Sequence, residues 1–331
     1  MRAAWYERNG PAEEVIKVGD MPTPEPGPGE VRVKVAWSGL NPTDLKARTG
    51  FLGRKMAYPR VVPHQDGSGV IDKVGAGVAA GRVGEPVWLY LAQAGRPYGT
   101  AAEYIVLPER FAVRMPAGAP LLGGACIGVP VRTAHRALFT DGPVTGKTVL
   151  VQGGAGAVGN YAIQLAKWGG AAKVLTTVSS PAKADLAAKA GADVIIDYRK
   201  EDVAARVMAE TGGGGVDHIV EVAFGKNMPV TLAVLRPFGV IASYASDAEH
   251  EPKLPYYPLM IRNAVIRLVY LYEVPADYEA RMAEDIAAWL VSGKAFHATA
   301  KVFPLDQVAA AHAYLESGAA SGNVMIEVAG G

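Results

Sequence analysis

The sequence predicts an α/β protein of two domains. One is β-rich, with a rolled and mainly antiparallel sheet; the other is built on a doubly wound parallel sheet. Three observations carry this expectation. The chain has 331 residues, more than one ordinary core takes up. Residues 31–110 read as short apolar or alternating runs broken by Gly and Pro. From about residue 125, short apolar runs alternate with helical patterns.

In order, Val31, Val33 and Val35 alternate with Arg32 and Lys34, the period of a half-buried strand. GVIDKVG (69–75), PVWLYL (86–91) and AEYIVL (102–107) are further strands. TVLVQ (148–152) is a short buried strand. VGNYAIQLAKW (158–168) is a helix with Val158, Tyr161, Ala162, Leu165 and Ala166 on one face. KVLTTV (173–178) is a strand, and PAKADLAAKAG (181–191) a helix opened by Pro and closed by Gly. DVIID (193–197), a helix near 201–211, VDHIVEV (216–222), a helix near 228–235, GVIASY (239–244) and AVIRLV (264–269) continue the alternation. The tail goes back to the pattern of the β-rich region. It holds AKVFPL (300–305), a short helix in DQVAAAHAYLESG (306–318) with Asp306 as N-cap, and NVMIEV (323–328). The tail is therefore expected to rejoin the first domain, giving domains 1–124 with 299–331, and 125–298.

Composition narrows the functions. A net charge of +1 supplies no broad basic field for nucleic acid or an anionic membrane. One cysteine, Cys126, rules out an internal disulfide framework and a multi-cysteine zinc knuckle, and suits a reducing, cytoplasmic compartment. The charged start MRAAWYERNGPAEE does not read as a signal peptide, and no run of about 18 apolar residues suggests a membrane span.

The strongest chemistry lies in VLVQGGAGAVGNYAIQLAK (149–167), where Gly154, Gly156 and Gly159 match G-x-G-x-x-G. The motif follows a predicted strand and opens a predicted helix, the context it requires. Gly154 is expected to permit the tight turn, Gly156 to let backbone approach a pyrophosphate, and Gly159 to allow close helix–strand packing. The loop Gly154, Ala155, Gly156, Ala157, Val158 and Gly159 then presents free N–H groups and a positive helix end to an anion. A glycine-rich turn with no ligand is the plain alternative. About 20 residues on, a ribose 2′-OH calls for Asp or Glu. TTVSSPAK (176–183) has no acid there; Ser179, Ser180 and Lys183 instead offer hydroxyls and a cation to a 2′-phosphate. NADPH is favoured over NADH. Tyr198 and Arg199, after the third strand of this domain, are placed to cover the adenine or add charge. The plain alternative makes Lys183 a solvated helix residue and the serines its N-cap.

SGLNPTDLKARTG (38–50), PHQDGSGVIDKVGAGV (63–78), GVPVRTAHRAL (128–138), GGAGAVGNYAIQLAK (153–167) and KAGADVIIDY (189–198) together resemble the medium-chain dehydrogenase/reductase superfamily over essentially the whole chain. The resemblance implies a GroES-like domain followed by a Rossmann domain. Zinc-dependent members bind catalytic zinc through Cys, His and Cys. Asn41 stands at the first ligand position and Gln65 at the second, with His64 one residue early; the third falls near Val129, three residues from Cys126. The structural zinc lobe is missing. Zinc needs softer ligands than this set, so no metal is expected and PHQDGSG (63–69) reads as a lost metal site. His64 then reads as a hydrogen-bonded or solvated turn residue, and Asp66 as a holder of the turn or of a neighbouring amide. The zinc-free quinone oxidoreductase, or zeta-crystallin-like, branch resembles this sequence most, through G-L-N-P-T-D. Two departures are His64, where that branch usually has glycine, and Asn323, where it usually has lysine.

By that resemblance, Asn41 and Thr133 flank the nicotinamide and its ribose in a cleft between the domains. Ala223 and Phe224 after the fourth strand of the parallel sheet, and Ser243 and Tyr244 at its fifth, line the cofactor track. Leu268, Val269 and Tyr270 edge the nicotinamide and, in the family, a homodimer seam; Asn323 lies near the cofactor cleft. Hydride to a quinone or to the β-carbon of an enone leaves a delocalised oxyanion that water can protonate, so no strong acid is required. Tyr58 is a candidate donor, with a packed aromatic as the plain alternative. Asp44 reads as structural and His135 as a packed helix residue. The leading expectation is an NADPH-dependent quinone oxidoreductase acting on a small molecule. An enone or alkenal double-bond reductase is the second reading, and an NADPH-binding protein of crystallin or sensor type the third.

Overall fold

The computed structural model of the chain describes residues 1–328. It divides into two compact units, residues 1–130 with the tail from Thr299, and residues 131–298. The first break lies after Pro130, not after residue 124, because the intervening segment packs onto the first sheet. The Val129 amide donates to Asp66, and a side chain at Gly128 would meet the Asp66 carboxylate at 2.2 Å.

In the first unit the strands are β1 (Arg2–Trp5), β2 (Lys17–Asp20), β3 (Glu30–Leu40), β4 (Asp66–Val74), β5 (Pro86–Leu89), β6 (Tyr104–Pro108) and β7 (Ala112–Arg114), with helices α1 (Ala12–Val15), α2 (Pro42–Thr49) and α3 (Leu121–Gly124). Strand β3 organises the unit. Its Val31, Val33 and Val35 are fully buried while Arg32 and Lys34 turn outward. Each such valine contributes roughly 1.5–3 kcal/mol of burial. One edge of β3 pairs with β4; the other is shared by β6 over its first half and by the chain's last strand over its second.

In the second unit the strands are β8 (Thr148–Val151), β9 (Lys173–Val178), β10 (Val194–Asp197), β11 (Val216–Glu221), β12 (Leu235–Ser243) and β13 (Val265–Leu268). The helices are α4 (Arg132–Phe139), α5 (Ala157–Trp168), α6 (Pro181–Lys189), α7 (Val203–Glu210), α8 (Phe224–Val234), α9 (Tyr256–Ile261) and α10 (Ala276–Val291). The sheet is parallel in the order β10-β9-β8-β11-β12-β13. From β8 the chain winds outward one way, then returns and winds the other way, so β8 and β11 flank a topological switch point, where ligands bind such sheets at the carboxyl ends of the strands.

Helices α8 and α10 depart from the sequence reading in the second unit. Helix α8 begins at Phe224, four residues before its expected start, because Glu221 accepts the Ala223 amide at 2.6 Å and Asn227 Nδ2 at 2.8 Å, organising a turn ahead of Pro229. Helix α10 had no assigned element. It buries Met282, Ile286 and Trp289 and is held to α4 by an Arg132–Glu279 ion pair and by His135 Nε2 to Asp285 at 2.8 Å.

The tail supplies β14 (Thr299–Pro304), α11 (Val308–Glu316) and β15 (Asn323–Glu327). β15 adds antiparallel to β3, and β14 adds parallel to β15, a local exception to the antiparallel rule. Phe303, Leu305, Val308, Val324 and Ile326 share a core with Ala3, Ala4 and Leu40. The expected N-cap, Asp306, pairs instead with Arg2; Gln307 stands at the N-cap of α11 after a short 3-10 turn.

Candidate active site

The first unit ties Asn41 and Val129 to one carboxylate, that of Asp66, and Gln65 to Gln93. Asn41 caps α2, and its amide N–H donates to Asp44 Oδ2 at 2.8 Å. Asn41 Nδ2 donates to Asp66 Oδ2 at 2.9 Å, and the Val129 amide donates to the same oxygen at 2.8 Å. Gln65 Oε1 accepts from the Gln93 amide at 3.1 Å, and Gln65 Nε2 donates to Gln93 Oε1 at 3.3 Å. Burial pushes Asp44 well above the usual carboxylate range; hydrogen bonds from the Asn41 and Gln65 amides act against the shift, and Asp66 adds to it. Asp66 therefore holds a neighbouring backbone amide. Among the described residues no group of three or more His, Cys, Asp and Glu is arranged to hold a metal ion.

His64 is neither solvated nor in a strand. It is fully buried at φ +83°, with Nδ1 2.8 Å from Ser38 Oγ and Nε2 3.0 Å from His312 Nε2. The Tyr58 hydroxyl donates to the Gly95 carbonyl at 2.6 Å, and its ring packs against the cluster of Tyr6, Val15 and Val61. Asn323 is buried at the start of β15, and Cys126 is buried with Sγ 3.5 Å from Met325 Sδ.

The second unit sets nearly all the remaining residues along one edge of the parallel sheet. Gly154, Ala155, Gly156, Ala157, Val158 and Gly159 form the turn from β8 into α5. The glycines divide the work differently from expectation. Gly153, at φ +74°, makes the tight turn. A Cβ on Gly154 would lie 2.1 Å from Thr176 Oγ1, and one on Gly159 would lie 2.3 Å from the Gly153 carbonyl, so both are required by packing. Gly156 is exposed, has ordinary dihedrals (φ −73°, ψ 162°), and a Cβ there meets only the Gly153 carbonyl at 3.4 Å. The first-turn amides of α5 have no carbonyl one turn back to receive them.

Ser179 and Ser180 follow β9; Ser180 Oγ accepts the Lys183 amide at 3.4 Å as the N-cap of α6. Tyr198 follows the adjacent β10 and is half exposed, its amide donating to the Val178 carbonyl at 3.1 Å. Asp197, the carboxylate opposite Val178 in register, is engaged by the Arg199 amide and lies 3.7 Å from Lys200 Nζ. Ala223, Ser243 and Tyr244 follow β11 and β12, and the Tyr244 amide donates to the Glu221 carbonyl at 3.1 Å. Burial raises the Tyr244 hydroxyl and the Glu221 charge raises it further. Leu268, Val269 and Tyr270 close β13. Thr133 is buried on α4, in the second unit. The Phe224 side chain is buried in the core with Ile219, Met228 and Leu259.

Several site residues escaped the sequence reading. Thr177 Oγ1 accepts the Gly153 amide and donates to Gln152 Oε1, and Asn160 Nδ2 donates to the Leu186 carbonyl, bracing the glycine turn. Glu221 is buried at the end of β11, and burial raises its carboxyl against four hydrogen bonds that lower it. A Gly-Gly step before the motif and a Thr-Thr step in β9 were the available signals.

A glycine turn on the central strand of a 3-2-1-4-5-6 parallel sheet, in one chain with a unit of GroES-like type, defines a nicotinamide-dependent oxidoreductase. Known proteins agree. The zinc-binding dehydrogenase family profile matches residues 157–288, and that of the alcohol dehydrogenase GroES-like domain matches 27–117. The chain is 29% identical over 311 residues to a quinone oxidoreductase of Rattus norvegicus, covering 93% of this chain and 91% of that one. It is 31% identical over 325 residues to a zinc-type alcohol dehydrogenase-like protein of Schizosaccharomyces pombe, 91% of each chain. A 2-methylene-furan-3-one reductase of Solanum lycopersicum is 29% identical over 98% of this chain and 78% of its own. Among solved structures, an NAD-dependent alcohol dehydrogenase superposes with a TM-score of 0.90 at 30% identity over 99% of this chain and 100% of that one. A mycobacterial protein solved with NADPH gives 0.84 at 28%, with the same coverage. The chain belongs to the medium-chain dehydrogenase/reductase superfamily, in its quinone oxidoreductase branch.

Proposed function

We propose that the chain is a zinc-independent, NADPH-dependent quinone reductase. The observation that carries this reading is the donor set at the three ligand positions: two carboxamides and a backbone amide, tied to Asp66 and Gln93. Zinc takes thiolate, imidazole or carboxylate. This set does not fit it, and no step is assigned to a metal.

The second unit fits the dinucleotide. Gly156 and the first-turn amides of α5 receive the pyrophosphate. Ser179, Ser180 and Lys183 receive the 2′-phosphate, and Tyr198 covers the adenine. Ala223, Ser243 and Tyr244 line the track, Thr133 meets the ribose, and Leu268, Val269 and Tyr270 border the nicotinamide. When bound, the nicotinamide supplies the hydride. Asn41 and Gln65 offer hydrogen bonds to a substrate oxygen in place of a Lewis acid, and water supplies the proton. With 9,10-phenanthrenequinone and 2-hexenal run in parallel, metal-stripped protein is expected to oxidise NADPH with the quinone. Turnover with the enal alone moves the assignment to double-bond reduction, a second reading favoured by the likeness to the tomato reductase. Loss of quinone turnover on stripping, restored by zinc, would overturn the metal-free reading.

Two predictions arise here. Lys183→Ala is expected to weaken NADPH binding about tenfold, the scale of one charge-assisted contact, and NADH hardly at all. Equal losses, by titration of cofactor fluorescence, contradict the 2′-phosphate assignment. The edge strand β13 and helix α9 expose Leu268, Tyr256, Tyr257 and Ile261, an unpaired apolar edge of the kind that pairs with a second copy. A homodimer is expected by light scattering, with Leu268→Asp shifting the mass toward the monomer. A wild-type mass of one chain contradicts the seam.

A further inference from the structure

The strained histidine at position 64 is one link in a buried chain of hydrogen bonds that has a single possible direction. At one end Arg48 Nε lies 3.2 Å from His312 Nδ1. Guanidinium only donates, so His312 Nδ1 accepts and the proton of its neutral ring sits on Nε2. That proton points to His64 Nε2 at 3.0 Å, which therefore accepts, leaving the His64 proton on Nδ1. Nδ1 donates to Ser38 Oγ at 2.8 Å, and Ser38 lies 2.7 Å from Thr100 Oγ1. At the far end Thr100 Oγ1 donates to the Asp66 carbonyl, which only accepts. The two ends fix the direction independently, and they agree.

Ser38, Arg48, His64, Thr100, Asp66 and His312 are fully buried. Burial holds His64 down to about 3 and His312 well below its ordinary value, where the neighbouring His64 and Arg48 act the same way, so both rings are neutral. The chain starts from an Arg48 that also reaches the Glu316 carboxylate and the Gly10 carbonyl. It ends on the residue whose carboxylate holds Asn41 and Val129. The Thr100 amide also donates to the His64 carbonyl at 3.2 Å, so one threonine brackets the whole 64–66 segment. A non-glycine residue at φ +83° persists only where its surroundings over-determine it. Here the side chain is what does so.

We infer that His64 and His312 are positioning residues, a pair locked in one tautomeric arrangement that fixes Asp66 and, through it, the Asn41 side chain. The role rests on the reductase reading only insofar as Asn41 serves the substrate. The arrangement itself can be tested without activity. Long-range proton–nitrogen correlation on full-length protein with nitrogen-15-labelled histidine, at neutral pH, is expected to show His64 protonated on Nδ1 and His312 on Nε2. Signals are assigned from His64→Gly and His312→Gln. The reverse tautomers, an imidazolium, or rapid exchange between tautomers would overturn the chain.

The positioning role is read from kcat for NADPH with 9,10-phenanthrenequinone. His312→Gln keeps a donor for His64 Nε2 and is expected within about threefold of the parent, whereas His312→Leu should fall about tenfold in kcat with KM for NADPH unchanged. Equal kcat in the two variants, or a KM that moves with kcat, removes the role. Folding of each is checked by thermal melting. If the parent turns over no acceptor, the reductase reading fails, the positioning role fails with it, and the tautomers alone decide whether the chain exists.

Discussion

Gly156→Val is expected to abolish dinucleotide binding in a protein that still folds. The reasoning turns on where the absent Cβ points. At Gly156 the backbone sits at φ −73°, ψ 162°, which any L-residue adopts, and the nearest protein atom to a Cβ is the Gly153 carbonyl at 3.4 Å. The cost to the fold is that of exchanging a glycine N-cap for a β-branched residue, about 1 kcal/mol or less. The cost to binding is steric. The new methyls occupy the space over the α5 N-terminus through which a pyrophosphate reaches the free amides, and a loss of at least about 100-fold in affinity for NADPH, some 2.7 kcal/mol, is expected. Gly159→Ala should behave the opposite way, because its Cβ falls 2.3 Å from the Gly153 carbonyl with backbone on every near side. That variant should lose thermal stability first. Calorimetric titration and melting curves on both variants separate the two roles. A Gly156→Val protein that binds NADPH normally would falsify the loop assignment.

That contrast also shows which parts of the molecule sequence could and could not reveal. The strand edge was legible because each element announces itself locally: alternating valines in β3, a glycine motif between β8 and α5, Pro and Gly bounding α6. With strands and helices alternating, the parallel sheet and its carboxyl edge follow. The division of labour among the glycines was not legible. Which glycine turns the chain depends on φ, and which one meets a neighbour depends on β9, a different strand. Helix α10 carried a usable signal in Met282, Ile286 and Trp289, spaced to one face. Its Pro275 N-cap offers no capping side chain and its flanks are alanine and charge, so the contrast was weak. The partner of His64 was beyond local reasoning altogether, since His312 lies 248 residues away and meets it only because the tail adds a strand to β3. The direction of the Phe224 side chain was not legible for a related reason: the residue follows β11, but its burial is set by the start of α8.

Acid is expected to destabilise the protein between pH 6.5 and pH 5, before most carboxylates titrate. Four histidines are held down chiefly by burial, His64 to about 3, His218 and His297 each to about 4, and His312 well below its ordinary value, and His135 is lowered as well. His218 donates from Nε2 to the Ala137 carbonyl at 2.7 Å, and His297 Nδ1 lies 2.8 Å from the Tyr161 hydroxyl. In the unfolded chain each takes up a proton near pH 6.5. Below that point the unfolded state binds more protons than the native one, so stability falls as pH falls, by about 1.4 kcal/mol per pH unit for each histidine. From pH 6.5 to 5 this amounts to about 2 kcal/mol per residue and at most about 8 kcal/mol for the four. Asp44 and Glu221 act in the opposite direction. Their native values are raised, so above the unfolded carboxyl range the native state keeps protons that the unfolded state has lost, and stability rises as pH falls toward that range. Two such carboxyls offset part of the histidine effect, and with four histidines against two carboxyls the net over the same interval is a loss of stability. Denaturant midpoints measured from pH 6.5 to 5 should therefore fall, and His64→Gly should flatten the slope by about one proton. A midpoint that stays level or climbs on acidification would mean that these rings are charged in the folded protein.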